Sequence, residues 1–281
     1  MFHRKLVLLR QIDRKSLFQY FLHSTADGSG SGQLLMMIQL LCLCCLTHII
    51  ATSDECGVRN LDPGSLQFAI STDGADVTAP WIAAIGAMRI ETNGYERFVV
   101  TCSGAILTRR MIITAAHCFA QGVAIYPEYV RVGVTRIDQK RSQDRRIQEV
   151  NTHPDHNNRD WYLDIALAFL TQELSFNDRV SPLCLPEGPY THPGDGVSVL
   201  VQGWGEDING NVGMEVSEAR VSVRSKDECD YRFSQADPES SEAVRAFLPK
   251  LTSSELICAD STLDSQAGAC VGDSGGPAFI R

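Results

Sequence analysis

Gly272-Asp273-Ser274-Gly275-Gly276-Pro277 lies close to the end of a 281-residue chain, and how it is read decides how the rest is read. Glycines around a serine leave its hydroxyl open to close approach and the neighbouring backbone N–H groups uncovered, an arrangement suited to a nucleophile beside an oxyanion-binding pocket. Taken alone, the same composition describes a tight turn. Ser274 becomes a candidate nucleophile only if the chain also supplies a base for its proton and an acid to orient that base.

Both are present upstream. Thr114-Ala115-Ala116-His117-Cys118 puts a histidine at the end of an apolar run, where small neighbours leave its ring accessible. Asp164-Ile165-Ala166-Leu167 puts a carboxylate at the head of an apolar strand, a costly location unless it is paired. Each has a bland reading by itself, as a packing histidine beside a cysteine and as a turn aspartate. The order His117, Asp164, Ser274 turns three weak signals into one constellation.

Composition narrows the classes. The 44% hydrophobic content is enough for a core, and the formal charge of −9, with no basic run beyond the N-terminal segment, speaks against nucleic acid as a partner. Ten cysteines without a CxxC pair or a cysteine–histidine cluster at zinc spacing point to disulfides in an oxidising compartment. No cofactor is expected, and no metal. Cys42, Cys44 and Cys45 fall in the apolar run Leu34 to Ile50, leaving seven cysteines for the folded part, an odd number.

Residues 1–33, basic and ending in a Gly/Ser stretch, are expected to be disordered. Residues 34–53 read as a signal peptide ending in Ala51-Thr52-Ser53, or as a signal anchor. The first makes the protein secreted; the second makes it a single-pass type II membrane protein, with membrane contact only if residues 34–50 are uncleaved. From Asp54 onward short apolar runs alternate with Gly, Pro, Asn and Asp, the pattern of a mostly β chain. Strands are predicted over Trp81 to Ile90, Arg97 to Leu107 with Met111 to Thr114 as a hairpin, Tyr129 to Val134, Asp164 to Leu170, Val197 to Val201 and Ala219 to Val223. Glu239 to Leu251 is predicted as a surface helix.

The motifs TAAHC (Thr114 to Cys118), DIAL (Asp164 to Leu167) and GDSGGP (Gly272 to Pro277) together resemble the trypsin/chymotrypsin-like serine protease family. Pro80-Trp81, Cys102-Ser103-Gly104, Ser181-Pro182-Leu183-Cys184-Leu185-Pro186 and Gly203-Trp204-Gly205 add to the match, which runs from about Cys56 to the C-terminus. The resemblance implies an all-β fold of two Greek-key six-stranded β-barrels, with a short propeptide-like segment over 54–67 and a serine protease domain over 68–281. It implies a secreted, zymogen-like serine endopeptidase acting through an acyl-enzyme. Ser274 would be the nucleophile, His117 the general base and then acid, Asp164 the residue orienting His117, and the N–H groups of Gly272 and Ser274 the oxyanion hole. The implied disulfides are Cys102–Cys118, Cys229–Cys258 and Cys56–Cys184. Protein or peptide substrates, an activating protease and protein inhibitors are the implied partners.

The chain departs from the family pattern at three places. No Arg or Lys stands at the expected activation cut near Gln67-Phe68-Ala69-Ile70-Ser71, so activation by a trypsin-like enzyme is not expected, and Phe68 or a neighbour could become the new N-terminus that pairs with Asp273 through a protease of other specificity. Only seven residues follow Ser274, so the second barrel is expected to be incomplete in this chain and Cys270 to lack its family partner. At the substrate pocket, Gly268 stands where trypsin-like members place an aspartate, which favours apolar or small side chains, and Trp161 would line the adjoining pocket. The other reading of the chain is a non-catalytic homologue that serves as a protein-binding scaffold.

Overall fold

Ile82-Ala83-Ala84-Ile85 is apolar without alternation because both faces of its strand are covered. The computed structural model describes residues 6–10, 56–57, 79–92, 94–156, 163–186, 193–205, 214–234, 256–261 and 272–280. Within it, β2 (Ile82–Ile90) turns Ala83 and Ile85 into the interior of a barrel and Ile82 and Ala84 outward against Trp81 and Trp204. Successive side chains on a strand point to opposite faces, so two buried faces require a continuous apolar run. Where the outward cover ends, at Arg89 and Ile90, the strand becomes exposed.

The barrel is closed. β3 (Glu96–Thr108), β4 (Met111–Thr114), β5 (Tyr129–Val132), β6 (Gln143–Thr152) and β7 (Ala166–Leu170) join β2 in the order β2-β3-β4-β7-β6-β5. Ile85, Ile106, Ile112, Val130, Val132 and Leu170 fill its interior, each at most 1% exposed. β8 (Ser198–Gly203), β9 (Ser217–Val223), β10 (Leu256–Ser261) and β11 (Ala278–Phe279) form a second, open sheet with β1 (Leu6–Arg10), in the order β1-β10-β9-β8-β11. The fold is thus all-β, a closed six-stranded barrel beside an open half-barrel, the class expected from the sequence. Helix is scarce among the described residues, with α1 (Lys226–Ser234) the longest segment.

The two sheets are held to each other by specific contacts. Trp81 Nε1 donates to Gln202 Oε1 at 3.1 Å, and the Trp81 ring meets Phe279 edge to face at 5.2 Å. Among the described residues three disulfides, Cys56–Cys184, Cys102–Cys118 and Cys229–Cys258, cross-link the chain. Each closes a loop in the unfolded chain, and such bonds contribute about 2–4 kcal/mol.

The N-terminal segment differs from the expectation of disorder over its whole length. Leu6–Arg10 pairs antiparallel with β10, from Leu6↔Asp260 to Arg10↔Leu256. Leu6-Val7-Leu8-Leu9 is an apolar run with strand character, and an uncovered sheet edge offers it unpaired N–H and C=O groups. The apolar run 34–50, the activation segment 67–71 and the helix predicted over 239–251 lie outside the described residues.

One ion pair anchors the half-barrel. Asp260 is fully buried, and its Oδ1 accepts from Arg224 Nε at 2.9 Å and Nη2 at 2.8 Å. Removing the cation takes the opposite charge away from a buried carboxylate, which is more damaging than losing both charges. Arg224→Met is therefore expected to destabilise the protein by about 3 kcal/mol, measured by urea unfolding, while Arg224→Met with Asp260→Asn recovers most of that loss.

Candidate active site

β4 ends at Thr114, and the chain then coils into a 3-10 helix over Ala116–Phe119 that carries His117. The Cys102–Cys118 bond ties this turn to β3. Asp164 comes just before β7, and β7 pairs with β4 so that Thr114 lies opposite Ala166. The strand pairing thereby delivers the histidine and the aspartate to the same end of the barrel. Leu163 reaches this position with φ 50, a left-handed conformation that is strained for leucine, and Ile165 N–H closes on its carbonyl at 2.8 Å.

Both oxygens of Asp164 hold His117. Oδ1 accepts from the His117 backbone N–H at 2.8 Å, and Oδ2 lies 2.6 Å from Nδ1. A proton on Nδ1 directed at a carboxylate makes Nε2 the acceptor nitrogen of the neutral ring. The two side chains are 25% and 14% exposed, so water competes little for Asp164.

Burial is the largest single influence on the Asp164 carboxyl and pushes its pKa up, but it is outweighed. The ring hydrogen bond and charge of His117, then its backbone N–H and the charge of His156, bring the pKa below the ordinary carboxylate value. A carboxyl with a lower pKa folded than unfolded releases its proton more readily in the native state. It therefore contributes stability that is present above the unfolded pKa and lost as pH falls through the folded one. Below about pH 4, the thermal midpoint is expected to fall more steeply for wild type than for Asp164→Asn, as read by calorimetry across an acid series.

The serine loop is laid against β3. Ser103 N–H donates to the Ser274 carbonyl at 2.8 Å, and Ser103 Oγ donates to the Gly272 carbonyl at 2.8 Å. Gly276 N–H reaches the Asp273 carbonyl at 2.9 Å, and Gln202 N–H reaches the Pro277 carbonyl at 3.1 Å. The Ser274 carbonyl is also 3.9 Å from Cys118 Sγ, which sets Ser274 beside the turn that carries His117. Asp273 Oδ1 accepts from Gly205 N–H at 2.7 Å. His117, Asp164, Gly272, Asp273 and Ser274 are thus gathered at the junction of the two sheets. Trp161, Gly268 and Cys270 lie outside the described residues.

Ser103 and Thr114 belong to this assembly, and no role was read for either from the sequence. Thr114 Oγ1 donates to the Ser103 carbonyl at 2.7 Å, tying β4 to the strand on which the loop rests. A hydroxyl near the start of the otherwise apolar run Cys102 to Leu107 is the signal that was available.

Among the described residues one group, Cys102, His117 and Cys118, brings ligand-type atoms within 4.8 Å of one another. The two sulfurs are bonded to each other, so neither offers the thiolate that a soft cation requires.

The family model described as Trypsin matches residues 73–281. Serine protease Hayan of Drosophila melanogaster is 30% identical over 199 residues, covering 68% of this chain and 30% of that protein. Clotting factor G beta subunit of Tachypleus tridentatus is 28% identical over 207 residues, covering 72% of this chain and 62% of that protein. The chain therefore spans less than two thirds of either relative. The solved structure of mouse neuropsin, described as a serine protease expressed in the limbic system of the brain, superposes with a TM-score of 0.51 at 25% identity, over 72% of this chain and 77% of that one.

Proposed function

Because the chain belongs to the trypsin family of serine proteases, we propose that it is a secreted serine endopeptidase whose catalytic triad is Ser274, His117 and Asp164. The observation that carries this reading is the double grip of Asp164 on His117, through the backbone N–H at 2.8 Å and the ring Nδ1 at 2.6 Å. A carboxylate held only for packing needs neither the tautomer nor the ring orientation that this pair of bonds imposes.

Ser274 Oγ attacks the carbonyl carbon of the scissile bond while its proton passes to His117 Nε2. The carbonyl π electrons move to oxygen, and the N–H groups of Gly272 and Ser274 receive the resulting charge, each donor contributing about 3–4 kcal/mol in sites of this kind. His117 then gives its proton to the departing amine nitrogen as the C–N bond breaks, leaving an acyl-serine. Water repeats the sequence with His117 again as base, and the acid product leaves. Asp164 stays ionised throughout and stabilises the imidazolium.

Asp273, held by Gly205 N–H, remains the carboxylate to which a newly freed amino terminus would pair after cleavage near Phe68. Gly268 in place of an acidic pocket residue favours substrates with apolar or small side chains before the cut. Three disulfides accord with an extracellular location, and among the described residues no helix is long and apolar enough to cross a membrane. An activating protease and protein inhibitors are its expected partners.

A serine-directed fluorophosphonate tests the proposal on the native protein. Wild type is expected to be labelled at Ser274 and Ser274→Ala not at all, by mass spectrometry of the modified peptide. No labelling after limited proteolysis by enzymes of several specificities would replace the peptidase by the protein-binding scaffold.

A further inference from the structure

We infer that Ser103 is the positioning residue that holds the oxyanion loop in shape, an assignment that rests on the peptidase reading of Ser274. Ser103 is fully buried in β3, yet every polar group it owns faces an element of the site. Its N–H donates to the Ser274 carbonyl at 2.8 Å, its Oγ donates to the Gly272 carbonyl at 2.8 Å, and the same Oγ accepts from Trp204 N–H at 2.8 Å. Its own carbonyl accepts from Thr114 Oγ1 at 2.7 Å.

The direction of these bonds is fixed by valence. A hydroxyl has one proton, and Trp204 N–H can only donate, so the Ser103 proton is committed to the Gly272 carbonyl. Trp204 directly follows β8 of the half-barrel, whereas Ser103 lies in β3 of the closed barrel. One side chain therefore connects both sheets to the loop between them.

The consequence for the loop follows from peptide planarity. In a trans peptide the C=O and N–H point in opposite directions, so tying down a carbonyl also aims the N–H on the other side of that plane. The carbonyls of Gly272, Asp273 and Ser274 are bound in succession by Ser103 Oγ, Gly276 N–H and Ser103 N–H. Gly276 thereby aims the Ser274 N–H, and the two Ser103 bonds clamp the peptides on either side. Gly272 has φ 95, a region glycine adopts without penalty, and the Ser103 hydroxyl holds its carbonyl in the direction seen. Without it, the Gly272–Asp273 peptide can turn, and the Ser274 N–H in the next peptide loses the support on its N-terminal side.

The test compares Ser103→Ala with Val130→Ala, a core truncation in β5 that also lowers stability. Fluorophosphonate labelling of Ser274 is expected to slow at least tenfold in Ser103→Ala and by less than twofold in Val130→Ala. Hydrogen–deuterium exchange of the segment 272–276 is expected to accelerate only in Ser103→Ala. Unchanged exchange of that segment overturns the assignment, whatever labelling does. So does equal slowing of labelling in the two variants. If wild type is not labelled but the exchange response appears, the positioning role stands and the peptidase reading falls.

Discussion

Asp164→Asn is expected to slow acylation of Ser274 by about 10⁴-fold while shifting the thermal midpoint at neutral pH by only a few degrees. The asparagine side chain has nearly the shape of aspartate, and its carbonyl oxygen can keep the bond to His117 N–H that Asp164 Oδ1 makes at 2.8 Å. The change falls on the second contact. At the position of Oδ2, now 2.6 Å from His117 Nδ1, an amide nitrogen donates where a carboxylate accepted. The ring answers by carrying its proton on Nε2, and the nitrogen that should receive the serine proton is then occupied. The loss is therefore in tautomer and imidazolium stabilisation, not in fold. The measurement is the second-order rate of fluorophosphonate labelling at neutral pH, beside a calorimetric scan of the same preparation. A rate within tenfold of wild type would sink the triad assignment, and a collapsed melt would show that Asp164 acts mainly as a structural residue.

The division between what the sequence disclosed and what it hid follows physical lines. β2, β3, β4 and β7 are apolar because they are buried, and burial is what hydrophobic patterning reports. β6 went unread because Gln143–Thr152 is half exposed along its length, with Asp144, Arg145, Arg146 and Glu149 among its residues. It is a strand because β5 and β7 both pair with it to close the barrel, a tertiary demand that leaves no local trace. Its side-chain ion pair is also to another strand, Asp144 gripping Arg131 of β5 through Nε at 2.8 Å and Nη2 at 2.7 Å. α1 was a different miss. Ser225 Oγ accepts Glu228 N–H at 3.3 Å, and Ser225-Lys226-Asp227-Glu228 is a capping-box sequence that pattern reading alone could have found. The residues proposed for the chemistry were legible because each sits in a motif of unusual composition. Ser103, which carries no motif of its own, became visible only when its partners were brought to it from residues far along the chain.

Gly275→Ala is expected to remove labelling altogether and to destabilise the fold by more than about 4 kcal/mol. Gly275 has φ 79, and an alanine there carries about 1–2 kcal/mol of left-handed strain before any contact is counted. The contacts are worse. The added Cβ would stand 2.2 Å from Thr114 Oγ1, 2.5 Å from the Ser103 carbonyl oxygen and 2.6 Å from Ala115 N. Two of these are backbone atoms, in β3 and just after β4, so no side-chain rotation relieves them, and the loop itself must lift from β3. Lifting it breaks the bond from Ser103 N–H to the Ser274 carbonyl and loosens the one from Ser103 Oγ to Gly272, leaving buried groups unpaired at about 1–3 kcal/mol each. Ser274→Ala supplies the contrast, since it deletes the nucleophile while every backbone bond of the loop survives, and its stability should stay within about 1 kcal/mol of wild type. Urea unfolding and fluorophosphonate labelling of both variants separate the effects: Ser274→Ala loses labelling only, Gly275→Ala loses both. A Gly275→Ala protein as stable as wild type would mean that the loop does not press on the barrel as closely as these distances require.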